Sequence, residues 1–135
     1  ASQIKIAPYI CYEIAFPQQV LTHSHGANVL LVISDDSWFG PSIALDQHLQ
    51  MAQMRALELQ KYVLFATNTG ATAIIKPDGS MTSLDRFKAD VLTQTIEPTQ
   101  GDTPLSRFGY TPVALICLIL LILSLRQKKT PQEKT

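Results

Sequence analysis

Only two cysteines occur in the 135 residues, they form no CxxC pair, and the formal charge cancels at eleven basic against eleven acidic side chains. Two cysteines so far apart offer no metal-ligand spacing. Cys11 lies in polar-punctuated sequence and Cys117 inside a hydrophobic run; such different surroundings argue against a bridge, so Cys11 is expected as a free thiol. The balanced charge supplies no global field to recruit nucleic acid or to steer an acidic substrate. No starting Met, basic leader or apolar signal segment precedes Ile4, and the chain therefore reads as part of something longer. Internal repeats and low-complexity tracts are missing too. At this length one small domain, or part of a larger one, is the limit.

What is present alternates between extended and helical patterns. Ile4, Ile6 and Ile10 recur with period two, which predicts a strand, and Pro8 within it removes a ladder donor and hints at an edge. Pro17 suits the first turn of a helix and Gly26 its end, so residues 17 to 25 predict a short helix. The apolar run 28–33 predicts a buried strand, followed by the Gly- and Pro-punctuated loop "SDDSWFGPS" at 34–42. Leu49, Ala52, Ala56 and Leu59 lie at helical spacing within a predicted helix 46–60, on which Arg55 and Glu58 stand three apart as an expected ion pair. Further strands are predicted at 62–66, 72–75, 81–84 and 91–96, with turns at Asn68-Thr69-Gly70 and Pro77-Asp78-Gly79. Strand, helix, strand, helix, strand and then hairpin strands fit an α/β sandwich.

Residues 108–125 carry no charge. As one helix they would measure roughly 27 Å, close to the hydrocarbon thickness of a bilayer. A buried core helix is the competing reading. Against it stand an apolar surface on every side, Tyr110 at one end, and Arg126, Lys128 and Lys129 at the other. The expectation is a transmembrane helix with a cytoplasmic basic tail at 126–135, and residues 1–107 outside the cytoplasm.

Cys11 follows the first strand directly and leads into "YEIAFP". A thiol attacks only as thiolate, and a strand end leading towards a helix offers exposure and backbone N–H groups. By position alone a cysteine that ends an apolar run is more often a packed small hydrophobe. His23, His25 and His48 raise the alternative of a Cys-His pair, but no local protease signature surrounds Cys11, and the histidines read as surface or helix-capping residues.

The stretches "CYEIAFP", "SDDSWFG", "HLQMAQMRALELQ" and "RALELQKYVLFATNTG", with the terminal apolar run, together resemble the nitrilase superfamily. The combination is most similar to its membrane-anchored acyltransferases of bacterial inner membranes. This resemblance implies an α/β fold, the C-terminal part of a nitrilase-type α-β-β-α sandwich followed by one transmembrane helix. It implies a Glu-Lys-Cys triad in which Cys11 is the nucleophile, and the Tyr12 backbone N–H is an oxyanion donor. Lys5 and Glu13 stand too close to Cys11 to be the other two members. Glu13 is implied as a carboxylate that orients the missing lysine or the loop beside the nucleophile, although position alone favours a solvated or helix-start acid. Trp38 and Phe39 are implied as an acyl-chain or membrane-facing surface, with core packing as the alternative. The implied reaction moves an acyl chain from a phospholipid to the N-terminal lipidated cysteine of an apolipoprotein through a Cys11 thioester, with no metal and no cofactor. A carbon-nitrogen hydrolase using water as acceptor, and a non-catalytic membrane-tethered fragment, stay open beside it.

Overall fold

The computed structural model describes residues 3–127. One five-stranded sheet carries the fold, with β1 at Ile6–Ile10, β2 at Val29–Ser34, β3 at Tyr62–Thr67, β4 at Ala73–Ile75 and β5 at Met81–Ser83, in that spatial order. The first three strands are parallel, β4 runs antiparallel to β3, and β5 antiparallel to β4. Parallel neighbours need crossovers, which are supplied by helices α1, Pro17–His23, and α2, Ala44–Leu59. Pro8 is tolerated because β1 is an edge strand.

Alternation decides which face is buried. Ala7 and Tyr9 of β1, Leu30 and Val32 of β2, and Val63 and Phe65 of β3 form one core cluster with Val20 and Leu21 of α1 and Ala52, Ala56 and Leu59 of α2. On the opposite face, Ile6, Ile10 and Ile33 are each at least half exposed. One layer of a sandwich is thus complete, and an apolar sheet face stands uncovered.

The register Ile10↔Ile33↔Ala66 brings the C-terminal ends of the three parallel strands level. In open α/β sheets this is the edge where ligands bind. The chain leaves β1 there through a 3-10 turn, Cys11–Ala15, and leaves β2 through a second one, Ser37–Phe39.

Two expectations need correction. Residues 91–96 form no strand. Leu92, Thr93, Gln94 and Ile96 instead line a cavity with Leu64 and Ile74, so the segment crosses the uncovered face rather than extending the sheet edge. Beyond it, Lys61 donates to the Gly101 carbonyl at 3.0 Å and Thr103 to the Glu58 carbonyl at 2.8 Å, tying this strap to the body. Burial pushes the Lys61 ammonium pKa down, and the nearby Asp102 opposes that shift.

The apolar run is also not one helix from Phe108. Gly109 takes φ 57° and its N–H closes a short helix α3, Pro104–Phe108, onto the Leu105 carbonyl at 2.8 Å. A positive φ at glycine ends a helix without a Cβ clash. Helix α4, Thr111–Gln127, starts afresh with Pro112 in its first turn. Every described side chain from Val113 to Leu125 is exposed. No helix among the described residues is long and apolar enough to cross a membrane. Lys128 and Lys129 lie outside the described residues.

Candidate active site

Cys11 is the first residue past β1 and has φ 52°, a left-handed backbone that a non-glycine residue adopts only under constraint. Such a conformation costs on the order of 1–3 kcal/mol and persists when its surroundings hold it. Two contacts do so. The Glu13 carboxylate reaches back to accept the Ile10 N–H at 2.7 Å, and His48 Nε2 lies 3.1 Å from the Cys11 carbonyl oxygen. The Cys11 side chain is partly exposed and its thiol is free, as is that of Cys117.

His48 is the residue that sequence reading misplaced. It is neither on the surface nor capping a helix, since only 1% of it is exposed. Its spacing from Leu45 and Ala52 puts it on the inward stripe of α2, and the Phe65 ring meets it edge-on at 5.1 Å. Nδ1 lies 3.0 Å from Oδ1 of Asp36, which is also almost completely buried and accepts the Ser34 hydroxyl at 2.6 Å. His23 and His25 are exposed, as expected.

Asp36 is held by the turn after β3. The Asn68 side chain accepts the Asp36 N–H at 3.1 Å and donates to Asp35 at 2.6 Å. The Ser37 hydroxyl, its N–H and the Asn68 amide hold the Asp35 carboxyl below the usual carboxylate range. Gly70 completes the cradle, because a Cβ there would stand 2.5 Å from Asp36 Oδ2 and 2.9 Å from Thr67 Oγ1. Asn68-Thr69-Gly70 is therefore both the expected turn and a wall of this site.

The other expected site residues gather around the same imidazole to different degrees. Cys11, Tyr12 and Glu13 follow one another on the first turn. The rings of Tyr12 and Phe39 lie 6.2 and 6.3 Å from that of His48. Trp38 stays outside this cluster and is 86% exposed. Lys5 sits at the opposite end of β1, roughly 20 Å from Cys11 at the rise of an extended strand. The expected Arg55 and Glu58 pair forms at 3.0 Å. Burial raises the Glu58 pKa, against the pull of Arg55.

A partly exposed thiol on a constrained strand-to-turn elbow, level with the ends of parallel strands, suits nucleophilic attack on a carbonyl. Residues 1–103 match the family described as carbon-nitrogen hydrolase. The chain belongs to the carbon-nitrogen hydrolase family. It is 49% identical over 122 residues to an apolipoprotein N-acyltransferase of Coxiella burnetii, covering 90% of this chain and 25% of that protein. Apolipoprotein N-acyltransferases of Pseudomonas putida and Shewanella oneidensis are 44% and 41% identical, over 90% and 95% of this chain and 24% and 25% of theirs. The chain thus spans about a quarter of the length of these curated relatives. Among solved structures, the C. elegans NitFhit protein aligns with a TM-score of 0.50 at 23% identity, over 60% of this chain and 22% of that one. That likeness concerns the fold alone, a nitrilase-like mixed α/β sheet.

Proposed function

We propose that this carbon-nitrogen hydrolase chain is the nucleophile-bearing part of a bacterial inner-membrane acyltransferase. In the first step the base takes the Cys11 thiol proton and the thiolate attacks an ester carbonyl of a phospholipid; the thioester forms as the ester C–O bond breaks, and the lysophospholipid leaves as an alcohol with the proton returned by the base. In the second, the α-amine of an apolipoprotein's N-terminal lipidated cysteine attacks the thioester; an amide forms and the Cys11 thiol is regenerated. Splitting the transfer at a thioester turns one hard exchange into two easier ones. The observation that carries this reading is the constrained, accessible Cys11 elbow in a chain similar to proteins named for that transfer.

Each site residue has a task in this reading. The Tyr12 N–H donates to the developing oxyanion. Glu13 fastens the elbow through the Ile10 N–H. Phe39, beside the His48 imidazole, and the exposed Trp38 offer apolar surface to an acyl chain. The base and the lysine of the triad come from outside this chain, since Glu13 is engaged with Ile10 and Lys5 is at the wrong end of β1. Residues 1–135 alone are therefore inactive, and the uncovered face around Ile6, Ile10 and Ile33 makes them prone to aggregate.

Residues 1–107 belong to the catalytic part, 108–125 to the membrane and 126–135 to a basic cytoplasmic tail. Helix α4 measures about 26 Å at its described length, at the short end of what a bilayer accommodates. Its support is the uncharged, wholly exposed surface from Val113 to Leu125, flanked by Tyr110 and Arg126. The family description favours a second reading, hydrolysis with water as final acceptor. Incubating the intact protein with labelled phospholipid and a lipidated peptide acceptor separates them. Label on the acceptor amine supports transfer; label only in free fatty acid supports hydrolysis and ends the acyltransferase reading.

A further inference from the structure

The geometry points to His48 and Asp36 as a positioning pair that aims and polarises the Tyr12 N–H, the oxyanion donor, through the peptide unit it shares with Cys11. The inference rests on Cys11 being the nucleophile. It adds two residues that act without touching the substrate.

The argument starts from the hydrogen-bonding capacity of the groups. A carbonyl oxygen can only accept, so the 3.1 Å contact to Cys11 requires the proton on His48 Nε2. Nδ1 then faces Asp36 Oδ1 at 3.0 Å, and Asp36 is itself fixed by Ser34, by Asn68 and by the space that Gly70 leaves. An ionised Asp36 can likewise only accept, so Nδ1 donates as well; the carboxylate fixes the ring orientation and balances an imidazole protonated on both nitrogens, which keeps Nε2–H as the donor to Cys11.

The peptide unit carries this onward. Cys11 and Tyr12 are joined by a trans peptide, in which C=O and N–H point in opposite directions. With the carbonyl turned to the buried imidazole, the Tyr12 N–H must point away from it. A hydrogen bond into the carbonyl also polarises the amide and strengthens the N–H as a donor. The left-handed backbone of Cys11 gives the pair something to hold, because that conformation would otherwise relax and carry the N–H with it. A purely structural histidine has no need to direct Nε2 to the residue that bears the nucleophile.

The test uses the intact enzyme in phospholipid vesicles and follows acylation of Cys11 in His48→Leu, His48→Gln, Asp36→Asn and Cys11→Ala, with thermal melting of each. Loss of an aimed oxyanion donor lowers the rate at saturating donor lipid and leaves KM nearly unchanged. His48→Leu is expected to lose about 10²–10³-fold in kcat, the range for one such donor. His48→Gln, whose amide N–H can occupy the Nε2 position, recovers roughly tenfold of that loss, and Asp36→Asn falls between the two. Wild-type kcat in a folded His48→Leu, a change in KM or melting temperature alone, or no recovery with Gln overturns the positioning role. Should His48→Leu not fold, His48→Gln and Asp36→Asn decide: a loss in kcat alone supports the role and an unchanged kcat overturns it. Acylation surviving in Cys11→Ala would instead sink the nucleophile reading, whatever the His48 variants do.

Discussion

The sheet body and helix α4 are built on opposite patterns of burial. In the body, every second residue of β1 is buried, and the buried Asp36 carboxyl is held through Oδ1 by Ser34 and His48. In α4 no described side chain is buried from Val113 to Leu125, and no charge interrupts that run. Alternation suits a layer with an inside and an outside; uniformity suits a helix whose whole circumference meets hydrocarbon. The contrast separates a layer with an inside and an outside from a helix apolar on every side, joined within the few residues around Gly109; in the proposed function the first bears the nucleophile and the second is the anchor.

The comparison breaks most visibly if one charge is placed in α4. Ile119→Arg puts a guanidinium midway along the helix, at a cost of about 2.5–3.5 kcal/mol on an insertion scale. The intact protein should lose membrane retention or topology while its body melts unchanged. Carbonate extraction and reporter fusions after Thr135 and near Asp102 read this; unchanged retention with both reporters on one side would remove α4 as the anchor.

In the body the sensitive point is a space rather than a charge. Gly70→Ala drives a Cβ to 2.5 Å from Asp36 Oδ2, and Asp36 is too well tethered to yield cheaply. A destabilisation of about 1–3 kcal/mol is expected, as for other overpacked sites. Denaturant unfolding checks it, and acylation should fall with it.

The smallest effect lies in the core below. Burial pushes the Tyr9 phenol up to about 12 from an ordinary 10.0, and its hydroxyl donates to the Val20 carbonyl at 3.1 Å. Because the folded state holds this proton more tightly, the contribution is complete below pH 10 and is lost as pH rises towards 12. Tyr9→Phe should cost about 0.5–1.5 kcal/mol at neutral pH, the worth of one hydrogen bond. It should also flatten the alkaline part of the stability curve, which urea melts across that range would show.

Legibility in the sequence followed the same division. Periods of two and of three to four residues located the strands and α2, and the i, i+3 spacing located the Arg55 and Glu58 pair, because these signals are local. Cys11 at the strand end was legible for the same reason. His48 was missed although its spacing from Leu45, Ala52 and Ala56 put it on the buried stripe; its polarity outweighed its position. Asp36 carried no signal that set it apart from Asp35, since its role depends on the β3 turn packing beside it. Residues 91–96 had strand composition, but pairing at an edge or crossing a face is decided by tertiary contacts. At 109–112 the break was readable, as Gly109 followed by Pro112 is a stop and a start, yet the absence of charge concealed it.

The most direct measurement is the mass of the Cys11 peptide from the intact enzyme after incubation with phospholipid and no acceptor. The account predicts an acyl adduct on Cys11 that neutral hydroxylamine removes, that a lipidated peptide amine discharges, and that Cys11→Ala abolishes. An enzyme that transfers acyl chains with Cys11 unmodified throughout, or an adduct that persists in Cys11→Ala, would contradict it.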